Sequence, residues 1–192
     1  LRSWRERFVL PQDASGRELV YLCGHSLGAQ PTLAAEYVEE VMRDWRSLGV
    51  EGFFAADRPW LAYHERAAPA LAALVGAEPQ EVALMNSLTI NLHLLLVSFY
   101  RPAGQRTALL IERQAFPSDR YAAASQVRFH GLDPARDLIE IEPRAGENTL
   151  RTEDVVAAIE REGPRIATIL LPGVQYLTGQ RLDIAAITAA GR

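Results

Sequence analysis

TALLIERQAFPSDRYAAASQVRF, residues 107–129, passes from a short apolar run through a loop into an amphipathic stretch. The same alternation recurs on both sides of it. EVALM (81–85) precedes LTINLHLLLVSFY (88–100), LIEIE (138–142) precedes RTEDVVAAIERE (151–162), and IATILL (166–171) precedes DIAAITAAG (183–191). Strands alternating with helices at this spacing predict βαβ units and an α/β fold around a mainly parallel sheet. Thr152 and Asp183 are expected as N-caps, with Glu153 and Asp154 favouring the first turn of their helix.

Upstream the pattern is helical. Leu33, Tyr37, Val38, Val41, Met42, Trp45 and Leu48 share one helix face over 33–48, with Pro31 suited to the first turn and Gly49 to the end. GVEGFFAADRPW (49–60) reads as a loop, and Leu61–Val75 as a helix kinked or restarted at Pro69 and closed by Gly76. The expected layout is an N-terminal segment over 1–60 and an α/β domain over 61–192.

The 192 residues carry a net charge of −4 with no basic run, so neither nucleic acid nor an anionic membrane is an expected partner. The longest apolar stretch is broken by Asn91 and His93 and is too short to span a bilayer. LRSWRERFVL (1–10) lacks the apolar core of a signal peptide, and the single cysteine, Cys23, suits a reducing cytoplasm. His25, His64, His93 and His130 show no metal-ligand spacing among themselves or with Cys23, and no metal is expected. His93, on its apolar helix, reads as a core histidine, and Trp45 and Trp60 as core or interface packing. All twenty basic residues are arginine. Without a lysine these residues supply no P-loop lysine, lysine base or Schiff base.

Gly24-His25-Ser26-Leu27-Gly28 fits the G-x-S-x-G elbow of α/β-hydrolases. An elbow starts its helix at the serine, whereas Pro31 sets the next helix start near Gln30. A hydrolase sheet needs strands ahead of the serine to furnish an oxyanion loop, and only some twenty residues precede it here. Asp119 and His130 would sit at opposite ends of one short helix. Ser26 is therefore read as part of a glycine-flanked turn, facing a ligand at most.

Ligands of open parallel sheets lie beyond the carboxyl ends of the strands. There Asn86-Ser87-Leu88-Thr89 opens a helix: an N-cap at Ser87 or Thr89, or an anion site built on exposed N–H groups. Phe116 either packs inward or lays its ring over a flat ligand, and Asp119 either answers a cationic nitrogen or, like Ser118, is a candidate cap of the next helix. PGVQYLTGQ (172–180) is a strand-to-helix connection or a third ligand loop, with Gly173 and Gly179 permitting close approach. A phosphate cradle, an aromatic plate and a carboxylate on one sheet edge together suit pyridoxal phosphate.

YLCGHSLGAQP, VEGFF…RPW, ALMNSLTINLHLLLVSFY, ERQAFPSDRYA…SQVRFHG and LPGVQYLTGQRLDIAAITAAG, in order from Tyr21 to the last residue, resemble the N-terminal half of the kynureninase family. The glycine-serine-leucine-glycine string is a usual feature of that family. The resemblance implies an aspartate-aminotransferase-like fold (fold type I of the pyridoxal phosphate enzymes), three-layer αβα and incomplete in this chain. It implies hydrolytic cleavage of L-kynurenine, or its 3-hydroxy form, to anthranilate or 3-hydroxyanthranilate and L-alanine, in a cytoplasmic homodimer. By position, Leu88 and Thr89 would hold the cofactor phosphate. Phe116 would stack on the pyridine ring, and Pro117, Ser118 and Asp119 would complete that wall. Ser26 matches a position near the substrate.

Two residues depart from the family pattern: Pro172 stands where relatives often have a hydroxyl residue, and Phe53 where some place a histidine against the substrate ring. The family's Schiff-base lysine, the aspartate pairing with the pyridinium nitrogen and the arginine for the substrate carboxylate all fall later in the chain. These 192 residues alone are thus expected to be inactive, with no catalytic residue among them. Desulfurase-like or aminotransferase-like relatives are the alternative, usually with histidine rather than phenylalanine over the ring. A non-catalytic module is a third reading, disfavoured by the unpaired strand edge and raw core face that half a sheet would expose.

Overall fold

The computed structural model describes residues 2–192, which form two compact units, one up to Met85 and one over Asn86–Arg192. The first unit contains α1 (Arg2–Arg5), β1 (Phe8–Val9), β2 (Gln30–Pro31), α2 (Ala34–Leu48), α3 (Gly52–Ala55) and α4 (Ala68–Val75). The second contains α5 (Leu88–Phe99), β3 (Ala108–Glu112), α6 (Pro117–Phe129), α7 (Pro134–Asp137), β4 (Leu138–Ile141), α8 (Thr152–Glu162), β5 (Ile166–Leu170) and α9 (Ile184–Ala190).

In the second unit the expected parallel sheet is present, in the order β4-β3-β5 with both pairings parallel. β3 is buried at every residue because helices cover both faces, which is why ALLIE reads as a continuous apolar run rather than an alternating one. Leu110 packs with Ile141, Val155, Ala158, Ile159 and Ile187 on the α8–α9 side. Leu109 and Ile111 pack with Leu96, Tyr100, Ala123 and Val127 on the α5–α6 side. Against β5 the register slips between Ala108 and Leu109, which face Ile166 and Thr168. Ala167 is the extra residue of this bulge, so Ala167 and Leu170 both reach the α5–α6 core although their spacing is odd.

Asp183 caps α9 as expected, accepting the Ala186 N–H at 3.0 Å. Thr152 is instead the first residue of α8, after Arg151, and makes no cap. His93 is half-buried on α5 and accepts from Gln126 Nε2 at 3.0 Å, as expected of a core histidine.

The run at 82–85 forms no strand and joins neither sheet. A strand exists only where a neighbour offers a ladder, and the local pattern of VALM could not show that. In the first unit α2 forms and ends at Gly49, whose φ of 56° the missing side chain permits. It starts at Ala34, not near Gln30, because Gln30 and Pro31 pair antiparallel with Val9 and Phe8. None of its residues is buried, and Trp45 is 63% exposed, so the predicted apolar face is not core among the described residues.

Residues 49–55, read as loop, form a 3-10 turn (Gly49–Glu51) and α3. Gly52 is buried against the Trp60 indole, where an added Cβ would stand 2.6 Å from the ring. That contact spans eight residues and was invisible to local spacing. Trp60 N–H also closes on the Gly52 carbonyl at 3.3 Å. The following helix is restarted as expected: a 3-10 turn over Tyr63–Arg66 gives way to α4, whose end is Gly76 in the left-handed region.

Candidate functional site

Of the three ligand-facing loops expected from the sequence, those after β3 and β5 leave the sheet at its carboxyl edge, whereas Asn86–Thr89 follows a run that is not a strand. Glu112 ends β3, and Phe116 follows after four residues as the N-cap of α6, with Pro117 opening the helix. The Phe116 carbonyl accepts the Asp119 and Arg120 N–H groups at 2.9 and 3.1 Å. Ser118 and Asp119 therefore lie inside the first turn and do not cap it. Ser118 Oγ donates to Asp119 Oδ1 at 3.1 Å, leaving the second carboxylate oxygen free of protein partners among the described residues. Arg120 grips Glu140 of β4 through Nε at 2.5 Å, and Arg113 pairs with Glu142. These pairs tie the loop to the neighbouring strand.

The Phe116 ring does not pack inward. It is 47% exposed, and its ring partner among the described residues is Tyr176, T-shaped to it at 5.0 Å between centroids and 80° between planes. In a T-shaped pair the partner ring covers at most one face of Phe116, so a face stays available for a flat ligand.

α5 and α6 run in the same direction, since His93 meets Gln126 and, further along both, Tyr100 meets His130. The α5 N-terminus thus lies at the end of the unit where α6 begins. Ser87, not Thr89, is the N-cap, its Oγ accepting the Ile90 N–H at 3.5 Å. Asn86 precedes it at φ 52°, the single non-glycine residue in the left-handed region among those described. The N–H groups of Leu88 and Thr89 and the Thr89 hydroxyl have no protein partner among the described residues. Three unpaired donors at the positive end of a twelve-residue helix suit a phosphate.

The second unit therefore brings Leu88 and Thr89, at one helix start, to the same end as Phe116, Pro117, Ser118 and Asp119 at another. Ser26 belongs to the first unit. It sits in a turn whose Ser26 and Leu27 N–H groups both bond the Cys23 carbonyl, at 2.9 and 3.0 Å. No helix starts at it, which leaves no nucleophile elbow. Among the described residues no group of three or more His, Cys, Asp or Glu could hold a metal ion, and no helix is long and apolar enough to cross a membrane.

Three residues behind the loops went unrecognised in the sequence: Tyr176, Gln175 and Glu112. Glu112 and Gln175 are each 4% exposed. Burial pushes the Glu112 carboxyl above its ordinary pKa, against the opposing pull of a hydrogen bond from Gln175. Gln175 Nε2 donates to the Gln114 carbonyl at 3.0 Å, and its Oε1 accepts the Leu177 and Thr178 N–H groups at 2.6 and 2.8 Å. The usable signal was a carboxylate closing an apolar strand, which a glutamine elsewhere must then meet.

No family model matches the chain. Among curated proteins, it is 54% identical over 190 residues to a kynureninase of Myxococcus xanthus, covering 99% of this chain and 45% of that protein. It is 54% identical over 188 residues to a kynureninase of Koribacter versatilis and 55% identical over 190 residues to one of Salinispora tropica, each time covering 98% of this chain and 44% of the relative. The chain thus spans somewhat under half the length of the curated relatives it matches. Over nearly all of its residues, then, this chain is similar to a kynureninase, in a stretch consistent with the N-terminal half.

Proposed function

We propose that the protein to which this chain belongs is a kynureninase, cleaving L-kynurenine or its 3-hydroxy form hydrolytically to L-alanine and anthranilate or 3-hydroxyanthranilate, with pyridoxal 5'-phosphate as cofactor. The observation that carries this reading is the exposed Phe116 ring at the end of the unit where α5 presents the unpaired Leu88 and Thr89 donors. When bound, the cofactor supplies an electron sink for breaking a carbon–carbon bond.

The residues of this chain fit that group by their donor set. Leu88 and Thr89 would bind the phosphate through two N–H groups and a hydroxyl, aided by the helix dipole. Phe116 would cover one face of the ring and exclude water from it. Pro117 fixes the backbone that carries Phe116, Ser118 orients Asp119, and Asp119 would place negative charge beside the ring. Ser26 is assigned to the substrate side. A covalent attachment and a proton shuttle at the substrate need a lysine, which these 192 residues lack. Binding and orientation are accordingly the share of this chain, and chemistry belongs to residues outside it.

Residues 1–60 are assigned to a small domain and dimer interface, and 61–192 to the first part of a large cofactor-binding domain of fold type I. The assembly proposed is a cytoplasmic homodimer. The test is release of fluorescent anthranilate from L-kynurenine by the full-length protein with added pyridoxal phosphate. Release is expected. A folded full-length protein that binds the cofactor but releases no anthranilate, nor 3-hydroxyanthranilate from the hydroxylated substrate, would refute the substrate assignment.

A further inference from the structure

Gln175 occupies an unusual position for an amide on a strand-to-helix connection. It is buried, and all of its side-chain polar atoms are used. Besides Leu177 and Thr178 N–H, Oε1 meets the Thr178 hydroxyl at 3.3 Å, while Nε2 bonds the Gln114 carbonyl and serves Glu112. The Gln175 main chain closes the same loop, its N–H donating to the Gln180 carbonyl at 2.8 Å and its carbonyl accepting Gly179 N–H at 2.9 Å. Gln180 in turn bonds both backbone groups of Leu150 through its amide.

The gap left among Glu112, Gln114, Gln175 and Gln180 is about 10 Å³, too small for a ligand. The cluster therefore binds nothing itself. Its bonds lead outward in two directions instead. One goes to Gln114, two residues before Phe116. The other goes to Leu177 and Thr178, which flank Tyr176 on its far side. The two rings that meet edge to face are thus hung from one buried amide.

We propose that Gln175, seated on Glu112, is a positioning residue that holds Tyr176 in its T-shaped contact with Phe116 and so fixes the ring plane available to the cofactor. This rests on the cofactor reading given above. Without the Tyr176 ring, Phe116 has no ring contact among the described residues to hold its angle. Without Gln175, Leu177 and Thr178 lose their acceptor, and the two loops lose the bond that joins them.

The test uses the full-length protein titrated with pyridoxal 5'-phosphate, read by the circular dichroism that the protein induces in the cofactor and by its dissociation constant. Gln175→Leu and Tyr176→Leu should each weaken binding roughly three- to tenfold, within the range of one aromatic contact, and change the induced signal in the same sense. Tyr176→Phe keeps the ring and should restore the wild-type signal. Gln175→Met keeps the length of the side chain without its amide, so it should give the same change as Gln175→Leu and replaces it should that variant not fold. The proposal is overturned if the Gln175 and Tyr176→Leu variants keep the wild-type signal and affinity, even with lower melting temperatures. It is equally overturned if the Gln175 variants change the signal and Tyr176→Leu does not. A wild-type protein with no induced signal at all would instead refute the cofactor reading, and this proposal with it.

Discussion

Glu112 is where a single residue works against the fold. Its carboxyl is buried at the end of β3, and burial raises its pKa above the ordinary carboxylate value. The unfolded chain therefore loses this proton at lower pH than the folded one. Between the two pKa values the native state holds more protons, so stability falls as pH rises, and the penalty is complete above the folded pKa. Glu112→Gln removes the titration while keeping an oxygen and the shape. Denaturant unfolding at pH 5 and pH 8 should show the variant gaining stability over wild type toward pH 8, and a difference independent of pH would contradict the assignment. Phe116 makes the opposite kind of case, since its ring faces outward with a large exposed area. Phe116→Ala should leave the melting temperature nearly unchanged and weaken pyridoxal phosphate binding about tenfold, the worth of one good aromatic contact. A large loss of stability would mean that the ring is core.

Between elements, a buried polar link lies at the amino edge of the sheet, away from the candidate site. Tyr100, at the end of α5, is fully buried and donates to the Thr107 carbonyl at 2.6 Å. Burial, reinforced by the nearby Asp137 charge, pushes its phenol up to about 12. Thr107 Oγ1 donates to Asp137 Oδ1 at 2.6 Å, and Arg136 donates to Oδ2 at 2.8 Å. Burial alone would raise the Asp137 pKa, but these donors and the Asp133 N–H outweigh it and hold the carboxyl below its ordinary value. Asp137 thus contributes stability that is present above the unfolded pKa and lost as pH falls through the folded one. Thr107→Val withdraws a donor from a buried carboxylate and should cost about 1–3 kcal/mol in denaturant unfolding at pH 7. The deficit should narrow in acid. An unchanged midpoint at pH 7 would show that the network carries no load.

Across the whole molecule, apolar surface is distributed in a way the described residues do not use. On α5, Leu88, Ile90, Leu94, Leu95, Val97 and Phe99 are exposed, and on α2 Tyr37, Val38, Met42 and Trp45 are too. A helix apolar on nearly all sides, as α5 is, and an apolar stripe left uncovered, as on α2, both belong against further structure, which fits relatives more than twice as long as this chain. Expressed as these 192 residues, the chain should bind a hydrophobic dye strongly and sediment above its monomer mass of 21.2 kDa. The full-length protein should bind the dye weakly. Equal dye binding by the two would show that these faces stay open in the longer chain.

Sequence by itself determined what depends on neighbours along the chain. The αβ alternation after residue 107, the Asp183 cap and the glycine ends at Gly49 and Gly76 all follow from local periodicity and from what a side chain does to its own backbone. The loops that follow β3 and β5 were legible for the same reason, since turns after strands are marked by punctuation in the sequence. Tertiary structure alone decided the rest. Whether 82–85 became a strand depended on a partner, and whether the α2 face was buried depended on a surface to meet it. The fold also chose Tyr176 as the ring against Phe116, across sixty residues, and Gln175 as the buried amide behind both. Pairing, burial and the desolvation that shifts Glu112 are properties of groups brought together through space, and no spacing along the chain records them.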